Sequence, residues 1–157
     1  MAAAVPHDAH ALTDEATVRF LRGLWQLNRR LQQDIEPLLA QQELDLRRFF
    51  ILSAVRRGTQ YPKALAKELQ LPATLLSRYL DQLCSLGYLE RQIDAQDSRR
   101  TCLSLSGAGQ QAHEAAVLDI RAHTSGRLGQ LPSATLTALL DAMDLLGTAE
   151  SAQENTK

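Results

Sequence analysis

Aromatic residues are scarce in this chain. Three phenylalanines, three tyrosines and one tryptophan make up 4% of its 157 residues, although 45% of them are apolar. Much of the apolar share is leucine and alanine, which favour helices over the surfaces of sheets, so a mainly helical protein is expected. Cysteine is rarer still. Cys84 and Cys102 cannot build a disulfide framework and lack the paired spacing of a zinc site, which argues against secretion and structural metal and makes the cytoplasm the expected location. No apolar run approaches the roughly 18 residues that span a bilayer, and the apolar start from Met1 to Val5 has no basic stretch. Neither an anchor nor an export signal is expected. Catalytic signatures are missing as well: there is no G-x-S-x-G, no phosphate loop and no H-E-x-x-H pair. His113 and His123 are too far apart in sequence for a helical metal pair. These absences make an enzyme the least favoured class, with no cofactor implied.

What is present is unevenly distributed. The formal net charge is -1, yet eight basic residues face five acidic ones between Arg56 and Arg100, a local excess of three positive charges between acidic flanks. Such a middle orients a molecule toward a polyanion. The length suits a single core, or a core with an added dimerisation element, and no repeat of solenoid period occurs.

Helical spacing of Val18, Leu21, Leu24, Trp25, Leu31 and Ile35 predicts a helix from about Thr13 to Gln41, with Thr13 as cap and Asp14 and Glu15 in its first turn. Pro37 is expected to bend or split its end. A second helix is expected from Asp45 to Arg57, stopped by Gly58, and a short third from Pro62 to Leu69. After a connection of about three residues at Leu71 and Pro72, a fourth runs from Ala73 to Leu86, with Leu76, Leu80 and Leu83 inward and Gly87 as its stop. Helices three and four form a helix-turn-helix. The period then changes. Tyr88 to Ile93 and Thr101 to Leu105 read as strands around a polar tip, a hairpin wing behind the second helix of the motif. Ser106 caps a fifth helix reaching Leu128, and Pro132 opens a sixth lined by Leu136, Leu139, Leu140, Met143 and Leu146.

The fold class expected is therefore mainly α: a winged helix-turn-helix with a small β-hairpin wing between N- and C-terminal dimerisation helices. The boundaries read as 1–44 for the N-terminal tail and dimerisation helix, 45–105 for the winged helix, 106–148 for the C-terminal dimerisation helices and 149–157 for a disordered tail. Thr74, Ser77, Arg78 and Asp81 project from the fourth helix away from its leucines. Arginine binds guanine bidentately or clamps phosphate, and short hydroxyl side chains let a helix enter the major groove. Arg99 and Arg100 at the wing tip suit a minor groove or a phosphate, with Asp97 beside them to hold an arginine side chain. Lys63 completes the candidate DNA-binding set. The plainer readings are a solvated helix face and an exposed turn ion pair.

Several segments together carry a family likeness: Leu65-Ala66-Lys67-Glu68-Leu69, Leu76-Ser77-Arg78-Tyr79-Leu80-Asp81-Gln82-Leu83, Gly87-Tyr88-Leu89-Glu90-Arg91, Asp97-Ser98-Arg99-Arg100 and Leu105-Ser106-Gly107-Ala108-Gly109. With them the chain resembles the multiple antibiotic resistance regulator (MarR) family, in motif from about Leu46 to Gly109. The resemblance implies an obligate homodimer with a winged helix in each subunit and repression relieved by a small ligand or by oxidation. It places Ser77 and Arg78 on the recognition-helix pair, and Asp97 and Arg99 on the wing pair. Ala73 and Leu75 depart from the pattern where the family often has a basic and a hydroxyl residue, as does Gln82 where Lys or Arg is common.

Dimerisation also follows from the apolar stripes of the two terminal helices, which are too long to hide in one winged helix. A two-fold dimer demands a near-palindromic DNA site. Cys84 and Cys102 are candidate redox sites, with inert cysteine the stronger reading. Trp25 and Arg29, with Arg30, are candidates for a pocket holding a small aromatic or anionic effector, although Trp25 reads more simply as a dimer-core residue. The expected function is sequence-specific transcription regulation, most simply repression. A winged helix that binds only another protein is the alternative.

Overall fold

The computed structural model describes residues 13–97 and 99–148; the tail expected at 149–157 lies outside them. The elements are α1 (Asp14–Ala40), α2 (Leu46–Arg56), α3 (Pro62–Glu68), α4 (Ala73–Ser85), β1 (Leu89–Ile93), β2 (Thr101–Leu105), α5 (Gly107–Leu128) and α6 (Ser133–Thr148). This is a mainly helical winged helix with one two-stranded antiparallel hairpin.

Local chemistry accounts for most of the boundaries. Thr13, Asp45 and Ser106 accept hydrogen bonds from the amides of Ala16, Arg48 and Gly109, satisfying donors that the helices themselves leave open. Gly58 and Gly87 follow α2 and α4 with φ of 108° and 72°, the left-handed conformation that glycine adopts at little cost. Pro37, by contrast, does not split α1. The helix continues through it to Ala40, with the loss of the one hydrogen bond that the missing proline N–H would have made. The turn between α3 and α4 holds four residues rather than three, and Gln70 within it has φ 51°. That turn closes through Leu71 N–H to the Ala66 carbonyl at 3.0 Å, without a glycine.

The core lies where α2 meets the winged helix. Ile51, Leu52, Ala54 and Val55 of α2 pack with Leu65, Leu76, Leu80, Leu83, Leu89 and Leu103, and with Leu39 and Ala116 from α1 and α5. Each fully buried leucine contributes about 1.5–3 kcal/mol through removal from water. Leu103 pairs across the hairpin with Arg91 and donates its N–H to the Gln60 carbonyl at 2.8 Å, so β2 is also tied to the segment entering α3. The outer parts of the chain differ. Val18, Phe20, Leu21, Leu24 and Leu27 of α1 and Leu139, Leu140, Met143 and Leu146 of α6 are exposed, and α6 makes no extensive contact with any other element. Between them lies a mostly apolar groove of about 880 Å³. No described helix is long and apolar enough to cross a membrane.

Candidate nucleic-acid interface

The helix-turn-helix presents α4 with its leucine face inward. Leu76, Leu80 and Leu83 are buried, and so is Tyr79, whose burial the leucine spacing alone did not disclose. Thr74, Ser77, Arg78 and Asp81 are exposed on the other side. Tyr79 keeps its hydroxyl satisfied at the edge of the core, accepting from Arg47 Nη1 at 3.3 Å.

Most cations around this surface are already engaged. Arg48 donates to Gln82 Oε1 from Nε and Nη2 at 3.3 and 3.0 Å, and from Nη1 to the Glu43 carbonyl at 3.0 Å. Gln82 therefore serves as the acceptor that fixes an arginine of α2. Arg91 on β1 pairs with Asp81 on α4 at 2.6 Å, fastening the wing to that helix. Arg57 pairs with Glu68 at 2.6 Å, and Thr59 donates to the other oxygen of that carboxylate at 2.7 Å. These two hydrogen bonds, the one from Thr59 foremost, hold the Glu68 carboxyl below its ordinary range. Arg56 bonds Glu114 and His113, both at 3.1 Å. Among the described residues, Lys63, Lys67, Arg78 and Arg99 are the cations of the winged helix without a side-chain partner. Three of them belong to the set expected from sequence. Lys67 was not in that set; its exposure on the last turn of α3 is the signal that would have found it.

The wing tip is built differently from expectation. Asp97 does not hold an arginine side chain: its Oδ1 accepts the Arg99 backbone N–H at 3.0 Å, while its carbonyl accepts from the Arg100 N–H at 2.9 Å. A carboxylate two residues upstream reaches the amide more readily than a guanidinium at the end of a long stem. Arg99 keeps its charged end free, and Arg100 lies with its guanidinium 4.3 Å from the centroid of the Tyr61 ring.

Trp25 and Arg29, expected to line a pocket, do not line the α1–α6 groove. Trp25 is 61% exposed, with the Arg29 guanidinium 5.6 Å from its ring, and the α1–α6 groove is lined instead by Phe20, Leu24, Leu27 and Met143. The helical period places Trp25 one position round from that lining. Cys84 and Cys102 are free thiols, both partly covered, with Cys84 packed against the core. His113 is buried between α2 and α5, and His123 lies 3.6 Å from Asp34. Among the described residues no three metal-binding side chains converge.

Comparison with known proteins agrees with this geometry. A model of the MarR family matches residues 43–100. Among solved structures, CouR from Rhodococcus jostii RHA1 bound to p-coumaroyl-CoA is 16% identical with a TM-score of 0.75, covering 92% of this chain and 100% of its own. The transcriptional regulator BldR from Sulfolobus solfataricus is 17% identical with a TM-score of 0.75, covering 87% of this chain and 97% of its own. A mutant MarR from E. coli complexed with operator DNA is 23% identical with a TM-score of 0.68, covering 81% and 94%. At these identities the likeness is one of fold. No curated protein matches the chain.

Proposed function

We propose, from the match of residues 43–100 to a model of the MarR family, that the protein is a transcription regulator of that kind and represses transcription as a homodimer on a near-palindromic DNA site. One observation carries the reading. Around α4 and the wing, acceptors within the protein engage Arg48, Arg57 and Arg91, while Arg78 on the exposed face of α4 and Arg99 at the wing tip are left without a partner. Arg78 is then free for a guanine edge in the major groove, with Thr74 and Ser77 contacting bases or backbone beside it. Arg99, Arg100 and Lys63 take the phosphates or the minor groove.

In this reading residues 45–105 form the DNA-binding region, with dimerisation helices before and after it. A second copy covers the exposed apolar faces of α1, α5 and α6, since a monomer seldom leaves so much contiguous apolar surface in water. The two-fold axis sets the recognition helices about one turn of DNA apart. Relief of repression by a small ligand draws support from the p-coumaroyl-CoA bound to the structural neighbour CouR. Oxidation at Cys84 or Cys102 is the second route, and the partial burial of both thiols favours the ligand. Selecting duplexes from a random pool with the purified protein, followed by titration at several salt concentrations, tests the proposal. An enriched inverted repeat bound with a steep salt dependence is expected. Absence of any salt-dependent shift on DNA would move the reading to a winged helix that binds another protein.

A further inference from the structure

The segment entering α3 is joined to the wing by three contacts from two consecutive residues, Gln60 and Tyr61. The Gln60 carbonyl accepts the N–H of Leu103 on β2 at 2.8 Å. Tyr61, the N-cap residue of α3, makes no side-chain cap; its hydroxyl instead donates to Asp94 Oδ2, just beyond β1. The same ring lies under the Arg100 guanidinium, just before β2. One side chain therefore grips both ends of the tip loop.

Asp94 completes the device. Its second oxygen, Oδ1, accepts the N–H of Gln96 at 2.7 Å and of Asp97 at 3.3 Å, and its own N–H donates to the Arg100 carbonyl at 2.9 Å. One carboxylate thus shapes the tip and fastens it to α3. The phenol hydrogen bond is the main reason that the Asp94 carboxyl is held low and the Tyr61 phenol high, so both groups keep the charge states of the contact at neutral pH. The Arg100 guanidinium makes no hydrogen bond among the described residues, which leaves its N–H groups open to a phosphate.

We propose that Tyr61 is a positioning residue for DNA binding: by holding Asp94 and Arg100 it sets the wing tip, and with it the free Arg99, at a fixed offset from the recognition helix. The proposal rests on the DNA-binding reading above. A wing joined to the body only by a two-stranded hairpin samples many tip positions, and ordering it on DNA costs affinity. The Tyr61 grip removes that cost before binding.

Tyr61→Phe separates the two contacts, since it deletes the hydroxyl and keeps the ring under Arg100. Its melting temperature shows that it folds. Two measurements then apply. Trypsin cuts after Arg99 and Arg100, so the rate of nicking at the tip reports on its freedom, and it is expected to rise several-fold in the variant. Affinity for a random-sequence duplex and for a selected site is expected to fall by roughly tenfold or more, the scale of one hydrogen bond to a charged group. In the Tyr61→Phe background Arg99→Ala is expected to cost less than in the parent, because a loose tip has already lost part of that contact. Unchanged nicking, or faster nicking with unchanged affinity, would overturn the proposal. A parent protein that binds neither duplex would instead overturn the DNA-binding reading, with the nicking rate still testing the grip itself.

Discussion

Gly109, in the first turn of α5, packs so closely on Tyr88 that a Cβ at its position would lie 2.0 Å from the Tyr88 carbonyl oxygen. That carbonyl also accepts the Ser106 N–H at 3.1 Å, and Ser106 Oγ donates to the Gly87 carbonyl while accepting the Gly109 N–H. The start of α5 is thereby locked to the turn that follows α4 through backbone atoms that cannot move aside. Gly109→Ala is expected to destabilise the protein by at least about 1–3 kcal/mol, as overpacking against rigid neighbours does. Gly107→Ala, two residues earlier with open space around it, is expected to change stability by less than about 1 kcal/mol. Chemical denaturation of the two variants checks the contrast.

Arg78 and Arg99 are expected to fail in different ways. Arg78→Ala should cost about 1–3 kcal/mol on the selected site and much less on random DNA, because it removes a base contact. Arg99→Ala should weaken both complexes by a similar factor and make the log-affinity against log-salt slope shallower by roughly one unit, since one phosphate contact and its counterion are lost. Binding of both variants at parental affinity would remove the groove assignment.

Acid is expected to loosen the contact between α2 and α5 through His113. Arg56 Nη1 can only donate to His113 Nδ1, so Nε2 carries the proton and donates to Ser53 Oγ at 2.8 Å, and Ser53 donates to the Phe49 carbonyl at 2.9 Å. The ring is stacked on Phe49, 5.2 Å between centroids. Burial foremost, then the nearby charges of Arg56 and Arg57, pushes its pKa below the ordinary histidine value, with Glu114 pulling the other way. The unfolded chain then binds the proton more readily than the fold does. Stability is fully present above the unfolded value of about 6.5 and falls as pH drops from there toward the lower folded value, by at most about 1.4 kcal/mol per pH unit. Melting curves from pH 7 down to about 5 check this, a range above the titration of ordinary carboxylates. His113→Gln is expected to flatten the dependence; an equally steep decline in that variant would place its origin elsewhere.

The exposed face of α6 is expected to act in association and hardly at all in the fold of one chain. Leu140→Glu places a charge on a helix that makes no extensive contact within its own chain. Sedimentation should show the parent as a dimer at micromolar concentration and the variant shifted toward monomer, with weaker DNA binding and a lower melting temperature through lost mass action. A parent protein that sediments as a stable monomer would end the dimer proposal.

What the sequence determined by itself was local. The ends of α1, α2, α4 and α5 follow from Thr13, Asp45, Gly58, Gly87 and Ser106, because capping and left-handed stops are decided within a few residues, and the leucine period of α4 pointed Arg78 outward for the same reason. Tertiary structure decided which charges remain available. Arg48 meets Gln82 across 34 positions, Arg56 meets His113 across 57 and Tyr61 meets Asp94 across 33, and no local spacing encodes such encounters. The burial of His113 and Tyr79 likewise follows from which elements pack together, whereas the turn at Asp97 is again local. A cation's partner is selected by packing among surfaces distant in the chain, so composition could locate the basic region, and only the fold could leave Arg78 and Arg99 free within it.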